Sequence, residues 1–167
     1  ASSMLDVIAL RVDKHETLEM FASNSSVPVI NALSDLSHPC QILADLMTFK
    51  ENSANELEKV CWIGDGNNVC NSYVEASKIL DFELSIYCPK EYSPDPSFLN
   101  YAKENSSFAN SREEAAKGAD IITTDVWVSM GDEKTKERAF EGYFVDTDLI
   151  ENTGKKSIFL HCLPAHR

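Results

Sequence analysis

The chain has 167 residues, 43% of them hydrophobic and 25% charged, which is ordinary for a globular protein and far from disordered or fibrous compositions. Its 27 acidic residues outnumber 15 lysines and arginines, giving a net charge of -12, and a surface of that sign repels a phosphate backbone, which excludes nucleic acid as a natural partner. No apolar run approaches the roughly 20 residues of a membrane span, and five dispersed cysteines within mostly apolar runs read as reduced thiols of a cytoplasmic protein.

In chain order, residues 7–12 form an apolar run broken only by Arg11, which predicts a strand buried on both faces. Residues 14–23 place Leu18, Phe21 and Ala22 at helical spacing. Residues 27–31 read as a second short strand, with Pro28 near its start, where a missing N–H is tolerated. From 39 to 51, Ile42, Leu43, Leu46, Met47 and Phe49 follow a 3.6-residue period behind Pro39, whose fixed φ suits a first helical position. The polar stretch 52–55 predicts a boundary. Beyond it, strands at 59–63, 82–88, 120–124 and 157–160 alternate with helical stretches at 69–80, 96–104, 112–117, 133–140 and 147–151. Such alternation predicts an α/β fold with a doubly wound parallel sheet and right-handed crossovers.

Ligands of an open parallel sheet bind beyond the carboxyl ends of its strands. Three polar segments occupy such places: Gly64-Asp65-Gly66-Asn67-Asn68, Asp125 with the loop Ser129-Met130-Gly131, and His161-Cys162-Leu163-Pro164. Gly64 and Gly66 match the first two glycines of a dinucleotide fingerprint, but Val69 stands third, and the next strand ends in Cys88-Pro89-Lys90 without an acid for a ribose. A tight turn, free N–H groups at a helix start and two side-chain amides suit a carboxylate better. The plainer reading makes Asn67 or Asn68 a helix cap. Asp125, at the end of an apolar strand, needs a cationic partner, either a ligand or a neighbouring lysine. His38 precedes Pro39 and Gln41 follows it, so an imidazole and an amide stand at the positive end of a helix, where an oxyanion or phosphate is favoured. A capping histidine and a solvated glutamine are the plainer alternative. Cys162 reads as packing or nucleophile. A metal held by His161 and Cys162 is disfavoured, because adjacent strand residues point to opposite sides.

Together, His38-Pro39-Cys40-Gln41, Gly64-Asp65-Gly66-Asn67-Asn68, Asp125 with Ser129-Met130-Gly131, and His161-Cys162-Leu163-Pro164 resemble, in order and spacing, the ornithine carbamoyltransferases of the aspartate/ornithine carbamoyltransferase family. The resemblance covers essentially the whole chain. It implies carbamoyl transfer from carbamoyl phosphate to the δ-amino group of L-ornithine, giving citrulline and phosphate, with no metal or organic cofactor and in a homotrimer or an assembly of trimers. It further implies that His38 and Gln41 hold the carbamoyl group, with His38 donating to its carbonyl oxygen. Asn68 would bind the ornithine α-carboxylate, Asp125 and Ser129 the α-ammonium, and the Met130 backbone the amino-acid head. Cys162 and the Leu163 carbonyl would lie beside the reacting amine and the carbamoyl nitrogen. Residues 1–37 are then expected to be the C-terminal part of a second α/β domain, the carbamoyl-phosphate domain. Residues 38–57 would be the interdomain helix and linker, and 58–167 the ornithine domain.

The family's Ser-x-Arg-Thr-Arg phosphate cradle and the arginine following His-Cys-Leu-Pro are absent, and both ends of the chain read as cut. With no arginine in any of the motifs, the 167 residues alone are expected not to turn over. The rival readings are a non-catalytic amino-acid-binding relative and a carbamoyltransferase for acetylornithine or putrescine. Asn68 with Asp125 and Ser129 favours a substrate carrying both an α-carboxylate and an α-ammonium.

Overall fold

A computed structural model describes residues 4–127, 134–163 and 165. Two parallel sheets share the chain. Strands β1 (Ile8–Arg11) and β2 (Val29–Leu33) pair in parallel through helix α1 (His15–Ser23), and helix α2 (Pro39–Asn52) leads to a second sheet. That sheet holds β3 (Lys59–Ile63), β4 (Glu83–Tyr87), β5 (Ser106–Phe108), β6 (Ile121–Thr124) and β7 (Ile158–His161). Its spatial order is β5-β4-β3-β6-β7, with every pairing parallel. The crossovers carry α3 (Asn68–Leu80), α4 (Pro96–Tyr101), α5 (Arg112–Ala116) and α6 (Thr147–Glu151), with 3-10 turns at Lys90–Tyr92 and Lys134–Phe140. This is the doubly wound parallel fold expected from the alternation, with a second α/β unit before it.

The larger sheet is apolar on both faces because helices cover both. Val60 and Trp62 of β3 join Tyr73, Val74, Leu84, Ile86, Ile42 and Phe49 in one core, while Cys61 and Ile63 join Ala115, Ala116, Ile122 and Leu149 in the other. Burial on both sides explains why β3 reads as an unbroken apolar run. Side-chain caps close the helix starts: Asn67 on α3, Asp95 on α4, Ser111 on α5 and Asp146 on α6.

Four details differ from the sequence reading. Strand β1 is not buried on both faces: Ile8 and Leu10 are half-buried, whereas Ala9 and Arg11 are exposed, since only β2 flanks it and the two-stranded sheet keeps an open face. Helix α2 buries Ile42, Asp45 and Phe49 and leaves Leu43 and Met47 at 66% and 61% exposure, so its inner stripe is narrower than its apolar residues indicate. Strand β5 was not expected; it is three residues long, at the sheet edge, and too polar to show an apolar period. Residues Lys134–Phe140 form a 3-10 turn rather than an α-helix. No described helix is long and apolar enough to cross a membrane.

Candidate active site

The strand order reverses at β3, whose neighbours are β4 on one side and β6 on the other. At such a switch point the crossovers leave on opposite faces and a crevice opens beyond the strand ends. A cavity of about 850 Å³ lies there, between the carboxyl ends of both sheets. Arg11, His38, Gln41, Asn68, Asp125 and Cys162 line it, with Leu163 beside Cys162. Six of the sequence-predicted site residues therefore meet in one cleft, although they are spread along the chain from His38 to Leu163. Ser129 and Met130 lie outside the described residues.

Asn67 supplies the cap that sequence left open between it and Asn68. Its side-chain carbonyl accepts from the Val69 and Cys70 amides at 3.0 and 3.2 Å, and its Nδ2 donates to Asp125 Oδ2 at 2.9 Å. The other Asp125 oxygen accepts from the Val126 amide at 2.8 Å. Both carboxylate oxygens are thus held by neutral donors, and among the described residues Asp125 has no cationic partner. Asn68 reaches the other way, donating to the Ser34 carbonyl at 2.7 Å, which ties the start of α3 to the segment after β2. That bond uses one of the two Nδ2 hydrogens.

His38 is the N-cap residue of α2, with Pro39 following, but its imidazole does not cap the helix. Its Nδ1 is buried without a hydrogen-bond partner among the described residues, while its backbone amide donates to Ser72 Oγ at 2.7 Å. Burial, aided by the Arg11 guanidinium, holds the His38 pKa below the ordinary 6.5, so the ring is neutral near pH 7. Gln41 is not solvated. Its Nε2 donates to Asp45 Oδ1 at 2.9 Å, and the other Asp45 oxygen accepts from the Tyr73 hydroxyl at 2.7 Å. Burial raises the Asp45 pKa, partly offset by those two bonds. With its nitrogen engaged, Gln41 keeps its carbonyl oxygen as an acceptor for a ligand.

Cys162 follows β7, and burial pushes its thiol up to about 12, with the charges of Asp125 and Asp45 acting the same way. It is a thiol at neutral pH and not a thiolate nucleophile. His161 Nδ1 bonds the Cys162 carbonyl, which turns the imidazole along the backbone.

The second glycine of Gly64-Asp65-Gly66 shows why the dinucleotide comparison fails. A Cβ built on Gly66 would lie 2.3 Å from Pro94 N and 2.4 Å from the Tyr92 carbonyl. In a dinucleotide site that closeness admits a pyrophosphate; here the chain itself fills it, and Gly66 N donates to Tyr92 O at 2.8 Å. Between the two glycines, buried Asp65 pairs with Lys136 at 2.6 Å.

Two residues, one lining the cleft and one buried behind Gln41, escape the motif reading. Arg11 lines the cavity, so an arginine reaches the cleft from β1 although none lies in the motifs. Its signal was present, as the single charged residue interrupting residues 7–12 at a strand's carboxyl end. Asp45 left no such signal, because a carboxylate on a half-exposed helix reads as a solvated position and its partner Tyr73 is 28 residues away.

Comparison with known proteins gives two family matches. Residues 57–167 match "Aspartate/ornithine carbamoyltransferase, Asp/Orn binding domain", and residues 1–51 match "Aspartate/ornithine carbamoyltransferase, carbamoyl-P binding domain". The chain is 46% identical to an ornithine carbamoyltransferase of Halorhodospira halophila, over 99% of this chain and 57% of that protein. It is 49% identical to one of Acinetobacter baylyi, over 99% and 56%. The fold superposes with TM-score 0.91 on the anabolic ornithine carbamoyltransferase of Campylobacter jejuni, at 42% identity, covering 99% of this chain and 59% of that one. For the ornithine carbamoyltransferase of Thermus thermophilus the TM-score is 0.88 at 42% identity, over 99% and 56%. The chain thus spans a little over half the length of the relatives it matches.

Proposed function

The chain belongs to the aspartate/ornithine carbamoyltransferase family, and from that premise we propose that the whole protein carries the carbamoyl group of carbamoyl phosphate to the δ-amino group of L-ornithine. The products are L-citrulline and phosphate, a step of arginine biosynthesis or catabolism in the cytoplasm. The relatives' names support the reaction class. One observation carries the choice of amine: Asp125 faces the cleft with neutral hydrogen-bond donors on both oxygens and no described cation, an arrangement suited to an ammonium. A dicarboxylate such as aspartate would meet repulsion there.

In this reading residues 1–37 complete the carbamoyl-phosphate domain, 38–57 link, and 58–167 bind ornithine. His38, neutral, donates one N–H to the carbamoyl oxygen, and Gln41 accepts from the carbamoyl nitrogen. Arg11 offsets the charge of the anionic substrate. Asn68 gives its remaining amide hydrogen to the α-carboxylate, while Asp125, Ser129 and the Met130 backbone hold the α-ammonium end. Cys162 and the Leu163 carbonyl flank the reacting amine and the carbamoyl nitrogen. The neutral δ-amine attacks the carbamoyl carbon, a C–N bond forms, and the oxygen gains negative charge. Collapse breaks the bond to the phosphate oxygen, and the leaving phosphate takes the extra proton of the amine nitrogen. The protein's share is placement and stabilisation of that oxyanion. No cofactor is needed, and the assembly is a homotrimer or built of trimers.

Asp125→Asn tests the reading. Loss of a charge-paired contact in a desolvated cleft predicts roughly a 100-fold rise in the ornithine KM, with little change for carbamoyl phosphate. Equal damage to both substrates would mean that Asp125 is structural.

A further inference from the structure

We infer that Asn67 is a positioning residue for substrate selection, whose side-chain amide aims the Asp125 carboxylate at the α-ammonium of the amino-acid substrate; this rests on the functional reading above. The inference comes from how the two ends of one amide are used. The Asn67 carbonyl accepts from two backbone amides, those of Val69 and Cys70, so its orientation is fixed: a flipped amide would set NH2 against two N–H donors. The Nδ2 is thereby committed to the opposite side, where Asp125 Oδ2 lies 2.9 Å away. Asp125 follows β6 and Asn67 follows β3, so this contact bridges the switch point just beyond the β3–β6 ladder. With the Val126 amide holding the second oxygen, the carboxylate plane is set from both sides, and each oxygen keeps a lone pair for a ligand.

Capping and aiming can be separated because serine caps a helix about as well as asparagine but carries no amide hydrogen. In the full-length enzyme, Asn67→Ser is expected to keep Tm within about 1 °C of the wild type, whereas Asn67→Ala, which loses the cap, lowers it by about 2 °C. Both variants are expected to raise the ornithine KM roughly tenfold, as loss of a hydrogen bond to a charged group does, and to weaken L-norvaline inhibition by a similar factor. The KM for carbamoyl phosphate is expected to stay unchanged in both. A purely structural Asn67 predicts instead that KM follows stability, with Asn67→Ser kinetically normal and only Asn67→Ala impaired; that result overturns the inference. A wild-type enzyme that does not carbamoylate ornithine overturns the functional reading and the inference with it, whereas wild-type turnover with an unchanged Asn67→Ser overturns the inference alone.

Discussion

A neutral imidazole at position 38 determines how the cleft responds to pH. Desolvation and the Arg11 charge place the His38 pKa below 6.5, so between that folded value and 6.5 the unfolded chain binds more protons than the folded one. Stability contributed by neutral His38 is complete above pH 6.5 and lost as pH falls through the folded pKa. The His38 imidazole is expected to titrate below pH 6.5. Replacing Arg11 with glutamine removes one cause of the shift and is expected to move that titration upward. NMR titration of the His38 ring in both proteins checks this; a wild-type midpoint above 6.5, or no movement in Arg11→Gln, contradicts it. At this scale the sequence was informative where a polar residue followed a strand, which is how Asn68, Asp125, Cys162 and Leu163 became candidates, and at a helix start, which singled out His38 and Gln41. Arg11 was visible as the one charge in its strand but its place in the cleft was not, and Asp45 gave no signal, because their surroundings come from elements distant in sequence. Asp45 is buried by α3 and Tyr73, and one helix's own period cannot show that.

Among the elements, the turn after β3 depends on absence of a side chain. Gly66 passes so close to residues 92–94 that a methyl group has no room. Gly66→Ala is expected to cost about 1–3 kcal/mol and to displace the Tyr92–Pro94 segment, which also borders the cleft. Urea denaturation measures the cost; unaltered stability would contradict the close approach. The elements that could be read directly were the central ones. Strands β3 and β6 are buried on both faces and contain only apolar residues and threonine after Lys59, and α2 opens at its proline as expected. The edge elements were illegible for the same physical reason in reverse: β5 gains its identity from pairing with β4, not from hydrophobic patterning. The outer residues of α2, Leu43 and Met47, are apolar yet exposed, so periodicity overstated its buried face.

Over the whole molecule, the doubly wound order follows from strand-helix alternation, but the strand that flanks the switch point follows only from pairing. That pairing brings Asp125 and Asn67 together and opens the cleft towards Arg11 and His38 on the first sheet. Charge bears on the same scale. Against a net -12, Arg11 is the arginine of the cleft among the described residues, a thin counterweight for a phosphate dianion. The 167 residues alone are accordingly expected to form no citrulline, which an assay of that polypeptide checks directly. The choice of ornithine by the complete protein is read from product formation with carbamoyl phosphate and ornithine, aspartate, N-acetylornithine or putrescine offered separately. Citrulline is expected from ornithine, with the other three amines slower by about two orders of magnitude for want of a paired α-carboxylate and α-ammonium or through repulsion at Asp125. Turnover of any of those three at a rate matching or exceeding that of ornithine would contradict it.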